Sequence, residues 1–261
     1  MSRKTIDRTG EVGYNNFGSE MVIVKYRNCH DVDVYFEEYN YVVESVYYST
    51  FKNGEIKCPY EPRVYEHGCL GEGKYKSKEN GKYTKCYTTW KNMLRRCYDS
   101  KFHEKHHTYN QCKASDEWLN YQNFGYWNSE NYYEIEGQRT TLDKDILVKN
   151  NKIYSAETCI YVPEKINLLF TKRDSKRGKY PVGVCYEKRT KKFRVGCSLL
   201  NPETGKSEQT YLGDYNTPEQ AFEVYKEYKE NNIKLVADYY KDKIPTKLYD
   251  VMYDYQVEIT D

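Results

Sequence analysis

The sequence lacks the features of a membrane or secreted protein. It has no apolar run of the roughly 20 residues that a membrane-spanning helix needs, and no secretory leader. Its nine cysteines are widely spaced and include no Cys-x-x-Cys pair, a pattern typical of ordinary reduced thiols. We therefore predict a cytoplasmic protein without a membrane partner, in the cytoplasm of a host cell if the chain is phage-encoded.

A strong net charge is also missing, yet the charge is unevenly distributed. The 41 basic and 39 acidic residues give a net charge of +2. Between Ser175 and Ser198, eight basic residues oppose one acid, whereas from Leu199 onward seven lysines oppose thirteen acids. A local basic block attracts phosphates even in a nearly neutral chain. The alternative is a solvated strand face, since lysine-rich turns are common.

The C-terminal region has the pattern of three strands and a helix. Residues alternate over 180–187 and 192–199, and a short third strand fits Gln209–Gly213. Thr217 and Pro218 predict the start of a helix. Its predicted buried stripe consists of Ala221, Val224 or Tyr225, Tyr228, Leu235 and Tyr239.

Two segments of this region carry a resemblance. GVCYEKRTKKFRV followed by YLGDYNTPEQAFEVY resembles the plant Apetala/ethylene-response-factor DNA-binding domain, although Cys185 stands where the plant pattern has an arginine. The resemblance implies a three-stranded sheet whose basic face lies in the major groove of double-stranded DNA. The candidate DNA contacts are Arg177, Lys179, Lys188, Arg189, Lys191, Lys192 and Arg194.

The N-terminal third contains short strands and then a glycine- and lysine-rich segment. Met21–Tyr26, Val32–Phe36 and Tyr41–Val46 predict a small β-barrel-like module over residues 1–66. Its role is either positioning, partner binding or stability. Residues 67–86 hold four glycines and little to bury, which predicts a flexible basic linker that follows the DNA backbone.

The central region, residues 87–174, has the pattern of helices followed by two strands and a helix. Apolar spacing predicts a helix near Tyr87–Asp99, with Lys91, Arg95 and Arg96 on its polar faces as further DNA contacts. Strands over 140–147 and 153–161 and a helix from 163 to 170 follow. The predicted order is therefore strand, loop, strand, helix.

A second resemblance lies in this region. TWKNMLRRCY, SDEWLNYQNFGYW and LDKDILVKNNKIYSAETCIYVPEKIN together resemble phage HNH-type homing endonucleases, which have a ββα-metal core. The resemblance implies metal-dependent DNA cleavage, with Asp143 and Asn167 holding Mg²⁺ or Mn²⁺ and no organic cofactor. Lys144 stands at the position of the usual histidine base, and Asp145 beside it could bind metal or deprotonate water. Alternatively, Asp143 and Asp145 are solvated carboxylates paired with basic residues.

Histidines near two cysteines raise the question of zinc. His103, His106 and His107 lie between Cys97 and Cys112, and two residues of each type could form a structural zinc site. Their irregular spacing favours surface histidines instead.

Together these patterns predict an α+β, multidomain protein. We expect a β module over residues 1–66, a linker over 67–86, an HNH-like core over 87–174 and a DNA-binding domain over 175–261. The expected function is sequence-specific binding of double-stranded DNA by a monomer, with metal-dependent cleavage of the homing-endonuclease type. Two alternatives stay open: a non-catalytic DNA-binding regulator built on a decayed nuclease core, and a module that binds a host protein.

Overall fold

The protein is described from a computed structural model, which covers residues 6–171 and 179–259. Helices and strands are mixed along the chain, which confirms the predicted α+β class. The chain divides into two compact units, Met1–Asn128 and Ser129–Asp261. Among the residues in these covered ranges, no helix is long and apolar enough to cross a membrane.

The first unit contains short strands followed by helices. Its strands are β1 (Val12–Tyr14), β2 (Glu20–Asn28), β3 (Asp31–Phe36), β4 (Tyr41–Val46), β5 (Lys78–Glu79), β6 (Lys82–Tyr83) and β7 (Lys113–Ala114). Its helices are α1 (Tyr48–Lys52), α2 (Lys85–Tyr98), α3 (Ser100–His103), α4 (Asp116–Leu119) and α5 (Tyr121–Asn131).

Strands β1 to β4 form an antiparallel sheet in chain order. Alternate residues of β2 and β3 turn inward, so that Met21, Ile23 and Val34 are fully buried. Phe51 of α1 is packed in the same core. The sheet lies where the alternation predicted strands, with β1 as an additional edge strand.

An aromatic core holds the helices of the first unit. Thr84 caps α2 by accepting a hydrogen bond from the Tyr87 amide, 3.1 Å. Trp90 is fully buried, and its indole nitrogen donates to the carbonyl oxygen of Trp118, 2.7 Å. Since a buried indole N–H needs an acceptor, this bond fixes α2 against α4.

The segment predicted as a flexible linker is packed within the first unit. A Cβ atom added at Gly68 would collide with Leu94 of α2, and one at Gly71 would collide with Asn120. The Gln122 side chain accepts from the Tyr75 amide and donates to the Tyr75 carbonyl, both 3.0 Å. Gly68, Gly71 and Gly73 therefore permit a close approach of the backbone to its neighbours, and the prediction of a flexible linker is wrong for this part of the segment.

Over residues 129–171 and 179–259, the second unit contains two groups of strands and three helices. Its strands are β8 (Thr140–Asp143), β9 (Ile153–Tyr154), β10 (Ile160–Pro163), β11 (Val184–Glu187), β12 (Lys192–Leu200) and β13 (Ser207–Tyr215). Its helices are α6 (Glu164–Phe170), α7 (Pro218–Tyr240) and α8 (Thr246–Tyr253).

Strands β8 and β10 pair antiparallel, with Ile160 opposite Asp143, and α6 follows β10 directly. The second strand of this pair is thus 160–163, at the end of the stretch predicted as 153–161. Residues 153–154 form only the short strand β9, while the Thr158 hydroxyl bonds the Ile153 carbonyl within the intervening loop.

Strands β11, β12 and β13 form an antiparallel sheet against which α7 packs. Thr217 caps α7 by accepting from the Gln220 amide, and Pro218 occupies the first turn, as the sequence predicted. Gly183 has φ +76° and lies so close to the Tyr225 ring that any Cβ would clash. This glycine therefore sets the approach of the helix to β11.

The buried face of α7 differs from the predicted stripe. Ala221 is fully buried, but Tyr228, Leu235 and Tyr239 are 46%, 53% and 38% exposed. The residues of α7 that are buried are Ala221, Phe222, Ile233, Val236, Ala237 and Tyr240. Both stripes are apolar, and the helix turns the second one toward the protein interior.

One hydrophobic core joins the parts of the second unit. It combines Val162 and Ile166 of the β10–α6 segment with Leu200 of the three-stranded sheet and Val236 of α7. Met252 of α8 is buried in the same core. The boundary expected near residue 174 therefore falls inside a single compact unit, whereas the observed division at 128/129 falls inside the segment predicted as the nuclease core.

Candidate nucleic-acid interface and candidate active site

The turn between β11 and β12 concentrates positive charge. Lys188, Arg189, Lys191 and Lys192 are all exposed there. Lys191 has φ +55°, which closes the turn in the left-handed region. Four cationic side chains on one short turn form a surface suited to phosphate oxygens. We call these four residues the basic turn.

Arg194 lies on the outward face of the same sheet but is not a free cation. Its Nε donates to Oδ1 of Asp214 at 3.1 Å, and its Nη1 donates to Oε2 of Glu187 at 3.2 Å. The hydrogen bond with Asp214 raises the pKa of Arg194 and lowers the pKa of Asp214. Tyr211 lies beside the guanidinium, 5.6 Å from ring centroid to Cζ.

The sheet therefore does not carry a continuous basic face. Its exposed positive charge is concentrated at one end, at the basic turn. Register places Cys185, Arg194 and Asp214 on one face of the sheet, where two acids offset the one arginine. Sequence counting missed this because Asp214 comes 20 residues after Arg194 and enters the face only through strand pairing. Further along this face, Ser198, Gln209 and Tyr211 are exposed.

The two remaining C-terminal candidates lie before β11. Lys179 is exposed, and its Nζ lies 5.3 Å from the Tyr180 ring centroid. Arg177 lies outside the described residues. Lys179 thus adds one cation to those of the basic turn in the same unit.

The cations of α2, in the first unit, rest on aromatic rings. Lys91 Nζ lies 5.6 Å from the Tyr83 ring, and Arg96 Cζ lies 5.8 Å from the Tyr109 ring. Arg95 lies over Phe102 and also pairs with Asp99 at 3.4 Å. These contacts orient the charges without burying them fully, since Arg95 keeps 49% of its side chain exposed.

Asp143, at the end of β8, organises the loop that follows it. Its Oδ1 accepts hydrogen bonds from the backbone amides of Asp145 and Ile146, both 2.8 Å. Burial raises the pKa of Asp143, and these two amide bonds oppose that rise. The alternative that Asp143 is a solvated carboxylate paired with a basic residue is therefore wrong, because its carboxyl group is bonded to backbone amides.

Lys144 is buried, with 5% of its surface exposed. Its Nζ donates to Oδ1 and Oδ2 of Asp145 at 2.7 and 2.6 Å and to the carbonyl oxygen of Asn151 at 2.7 Å. The Tyr154 ring lies 5.8 Å away. The lysine at the position of the usual histidine base is thus an internal cross-link of the loop between β8 and β9, and Asp145 serves as its counter-ion.

The two predicted metal ligands, Asp143 and Asn167, make separate contacts in the structure. Asn167 lies part-buried on α6, and no hydrogen bond or ion pair joins it to Asp143 among the described residues. Over residues 6–171 and 179–259, no group of three His, Cys, Asp or Glu side chains is placed to hold a metal ion. Because the second carboxylate, Asp145, is paired with Lys144, Asp143 lacks the further acidic ligands that Mg²⁺ usually takes.

Cys159 belongs to this cluster and was not predicted. It is 4% exposed, and burial raises the pKa of its thiol to about 12, with the Asp143 charge adding to the rise. No spacing in the sequence marks it, because the antiparallel pairing of β8 with β10 brings it close to Asp143.

The histidines and cysteines considered for a zinc site have separate environments in the structure. Cys97 and Cys112 are both buried, whereas His106 and His107 are exposed. The Nε2 of His103 lies 2.8 Å from the Arg96 carbonyl, where it donates a hydrogen bond that closes the turn after α2.

Comparison with known proteins adds no relative: no protein family, curated protein sequence or solved structure matches this chain. The functional argument therefore rests on the geometry of the two units.

Proposed function

We propose that the protein binds double-stranded DNA through the basic turn of its second unit. The observation that carries this proposal is the concentration of Lys188, Arg189, Lys191 and Lys192 at one exposed end of a three-stranded sheet braced by α7. A braced hairpin can enter a major groove end first, with its cations bonded to phosphates on either side. The exposed polar side chains beyond the turn would then reach base edges.

The internal pairing of Arg194 fits a positioning role better than a phosphate contact. Glu187 and Asp214 hold the Arg194 guanidinium on the sheet face, and these two carboxylates offset its positive charge. Lys179, in the same unit as the basic turn, would add a non-specific phosphate contact, which carries no sequence information. In the first unit, Lys91, Arg95 and Arg96 of α2 are separate candidates for such contacts.

The test removes the charges of the basic turn. We expect the Lys188→Gln, Arg189→Gln, Lys191→Gln, Lys192→Gln variant to bind short duplexes weakly in fluorescence anisotropy. The log–log salt slope should fall by up to about 3.6, at about 0.9 per lost phosphate contact. The matched control removes four charges from α7, α8 and the turn between them, at Lys234, Lys241, Lys243 and Lys247. Equal affinity and slope for the two variants would overturn the proposal.

DNA competition separates this function from binding of a host protein. If the basic turn serves an acidic protein surface instead, duplex DNA at physiological salt should fail to bind, or should bind the charge-removal variant and the wild type alike.

The nine free thiols fit a reducing, cytoplasmic setting, and a monomer on an asymmetric site is the expected form.

Cleavage of the bound DNA is a second candidate function. It is favoured by the antiparallel β8–β10 pair with α6 directly after it, an order that resembles the ββα core of HNH nucleases. The surroundings of Asp143 argue against cleavage, because the neighbouring carboxylate, Asp145, is paired with Lys144. A non-catalytic regulator on the same scaffold fits the buried Lys144 and its paired Asp145 better.

The variant Asp143→Asn distinguishes cleavage from binding without cleavage. An Asn side chain can accept hydrogen bonds from the same two backbone amides as Asp143, so the variant keeps the loop but removes the charge needed by a metal. If the site cleaves, wild type with Mg²⁺ or Mn²⁺ nicks or cuts duplex DNA and Asp143→Asn does not. If the protein only binds, neither cuts and both give the same footprint.

A further inference from the structure

Strand β13 is an open edge of the three-stranded sheet. The strand order is β11, β12, β13, and β13 runs for nine residues, Ser207–Tyr215. Its backbone pairs with β12 on one side, and within the described chain no strand pairs with it on the other. Long edges that carry neither proline nor dense charge can accept an additional strand from another chain.

A groove runs between this edge and helix α7. It has a volume of about 560 Å³ and an apolar lining of Leu199, Pro202, Leu235 and Tyr239. Leu235 is 53% and Tyr239 38% exposed, so two large apolar side chains face solvent where the sequence predicted burial. Apolar side chains gathered in a groove, rather than scattered singly, mark a binding surface.

The rim of the groove is acidic. Glu203 and Glu208 line it, and their carboxylates have no hydrogen-bond or ion-pair partner among the described residues. Lys243 Nζ lies 4.1 Å from the Tyr239 ring centroid, so this ring already holds a cation of the chain itself. The preference for a positively charged ligand therefore rests on the two rim carboxylates.

We propose that this groove binds an extended segment of a partner protein whose groove-facing residues, every second one along the segment, include both apolar residues and Lys or Arg. The segment would add to β13 as a fourth strand, so that its backbone bonds the open edge. Because alternate side chains of a strand point to opposite sides, every second residue of the segment faces the groove, where apolar residues contact Leu235 and Lys or Arg meets Glu203 and Glu208. A second copy of this chain would bring the same two acids to the surface and be repelled.

This site does not depend on the proposed DNA contact. The basic turn precedes β12 at Lys192, and the groove borders the turn that follows β12 at Leu200. At about 3.3 Å per residue the two lie at opposite ends of the strand, roughly 27 Å apart. Both can therefore be occupied together, and loss of one leaves the other intact.

The probe is a positional-scanning library of synthetic nonapeptides, applied to the full chain, with backbone amide shifts read by NMR. We expect a preference for Leu, Ile or Val and for Lys or Arg at positions two or four residues apart, and shifts centred on Gln209 and Thr210 of β13. Leu235→Ala should weaken the selected peptide about tenfold, and Glu203→Gln with Glu208→Gln severalfold. N-methylation of alternate peptide amides should abolish binding.

Matched controls are Leu168→Ala, an exposed leucine of α6, and Glu219→Gln with Glu223→Gln, exposed acids at the other end of α7. Circular dichroism verifies that every variant folds. A library without preference, a preference for acidic peptides, or equal binding by groove and control variants would overturn the proposal. Self-association that Leu235→Ala removes would also overturn it, by making a second copy the occupant. DNA affinity of the groove variants should equal that of wild type.

Discussion

The ammonium nitrogen of Lys144 is bound by both carboxylate oxygens of Asp145, the next residue in the chain, at 2.7 and 2.6 Å. The same nitrogen donates to the Asn151 carbonyl, so one buried lysine closes the loop after β8. Asp145 itself remains half exposed, with 53% of its side chain accessible. The pair is therefore asymmetric: the lysine is enclosed, while its counter-ion is open to water.

This asymmetry gives a prediction for stability. Lys144→Ala removes buried methylenes and leaves the Asn151 carbonyl unpaired, so we expect a loss of about 2–4 kcal/mol. Lys144→Met keeps most of the volume and should lose about 1–2 kcal/mol. Asp145→Asn keeps one acceptor but leaves the enclosed ammonium without its counter-charge, so we expect a loss of about 1–3 kcal/mol. Urea unfolding measures all three. Equal stability of Lys144→Ala and wild type would contradict the cross-link.

A second prediction concerns the carboxylates that hold Arg194. Asp214→Asn weakens one of its two ion pairs and frees part of its charge for phosphate. DNA affinity should rise severalfold, and the salt slope should steepen by up to about 0.9. Asp242→Asn, an exposed acid beyond α7, changes the net charge equally and serves as control.

The double variant Asp214→Asn with Arg194→Ala should show no such gain over Arg194→Ala alone. If the gain persists without the arginine, or if Asp242→Asn gives the same gain, Asp214 acts only through the overall charge and the assignment fails.

These ion pairs show where the sequence was informative and where it was not. The caps, turns and alternation of the C-terminal sheet were predictable because they depend on neighbours along the chain, such as Thr217 and Gln220. The environments of Lys144 and Arg194 were not, because each depends on partners that only the fold brings close: Asn151 for one and Asp214 for the other. A candidate site read from residue types alone therefore overestimated the free charge.

The same reason explains two errors in packing. Helix α7 is apolar on more than one side, so periodicity could not tell whether Leu235 or Val236 faces the core. The glycines of residues 67–86 fit both a flexible tether and close packing on α2 and α5, since the absence of a Cβ permits either.

A third prediction concerns the acid stability of the first unit. Asp33 is 7% exposed and accepts two bonds from the Arg27 guanidinium, 2.9 and 2.7 Å, and one from the Ser45 amide, 3.0 Å. The bond from Arg27 contributes most to lowering the pKa of Asp33 from 3.8 to about 2. Because the folded pKa is lower, the pair stabilises the fold above the unfolded value, and this contribution is lost as pH falls from 3.8 toward 2.

The variant Asp33→Asn tests this dependence. It should be less stable than wild type at neutral pH, and the difference should shrink between pH 3.8 and about 2. Urea unfolding of both proteins across this range, followed by signals of the first unit, measures the difference. A gap that stays constant with pH would contradict the ion pair, and Glu20→Gln, an exposed acid of β2, provides the control.

The last prediction tests how firmly α7 braces the sheet that carries the basic turn. Ala221 in its first turn is fully buried, and α7 packs against β11, β12 and β13. Ala221→Phe should overpack this contact and destabilise the second unit by about 1–3 kcal/mol. Leu235→Ala, on the exposed side of the same helix, should cost less than about 0.5 kcal/mol. Hydrogen exchange should show faster exchange of β12 amides in Ala221→Phe alone. Protection equal to wild type would mean that the sheet, and with it the basic turn, holds its shape without the helix.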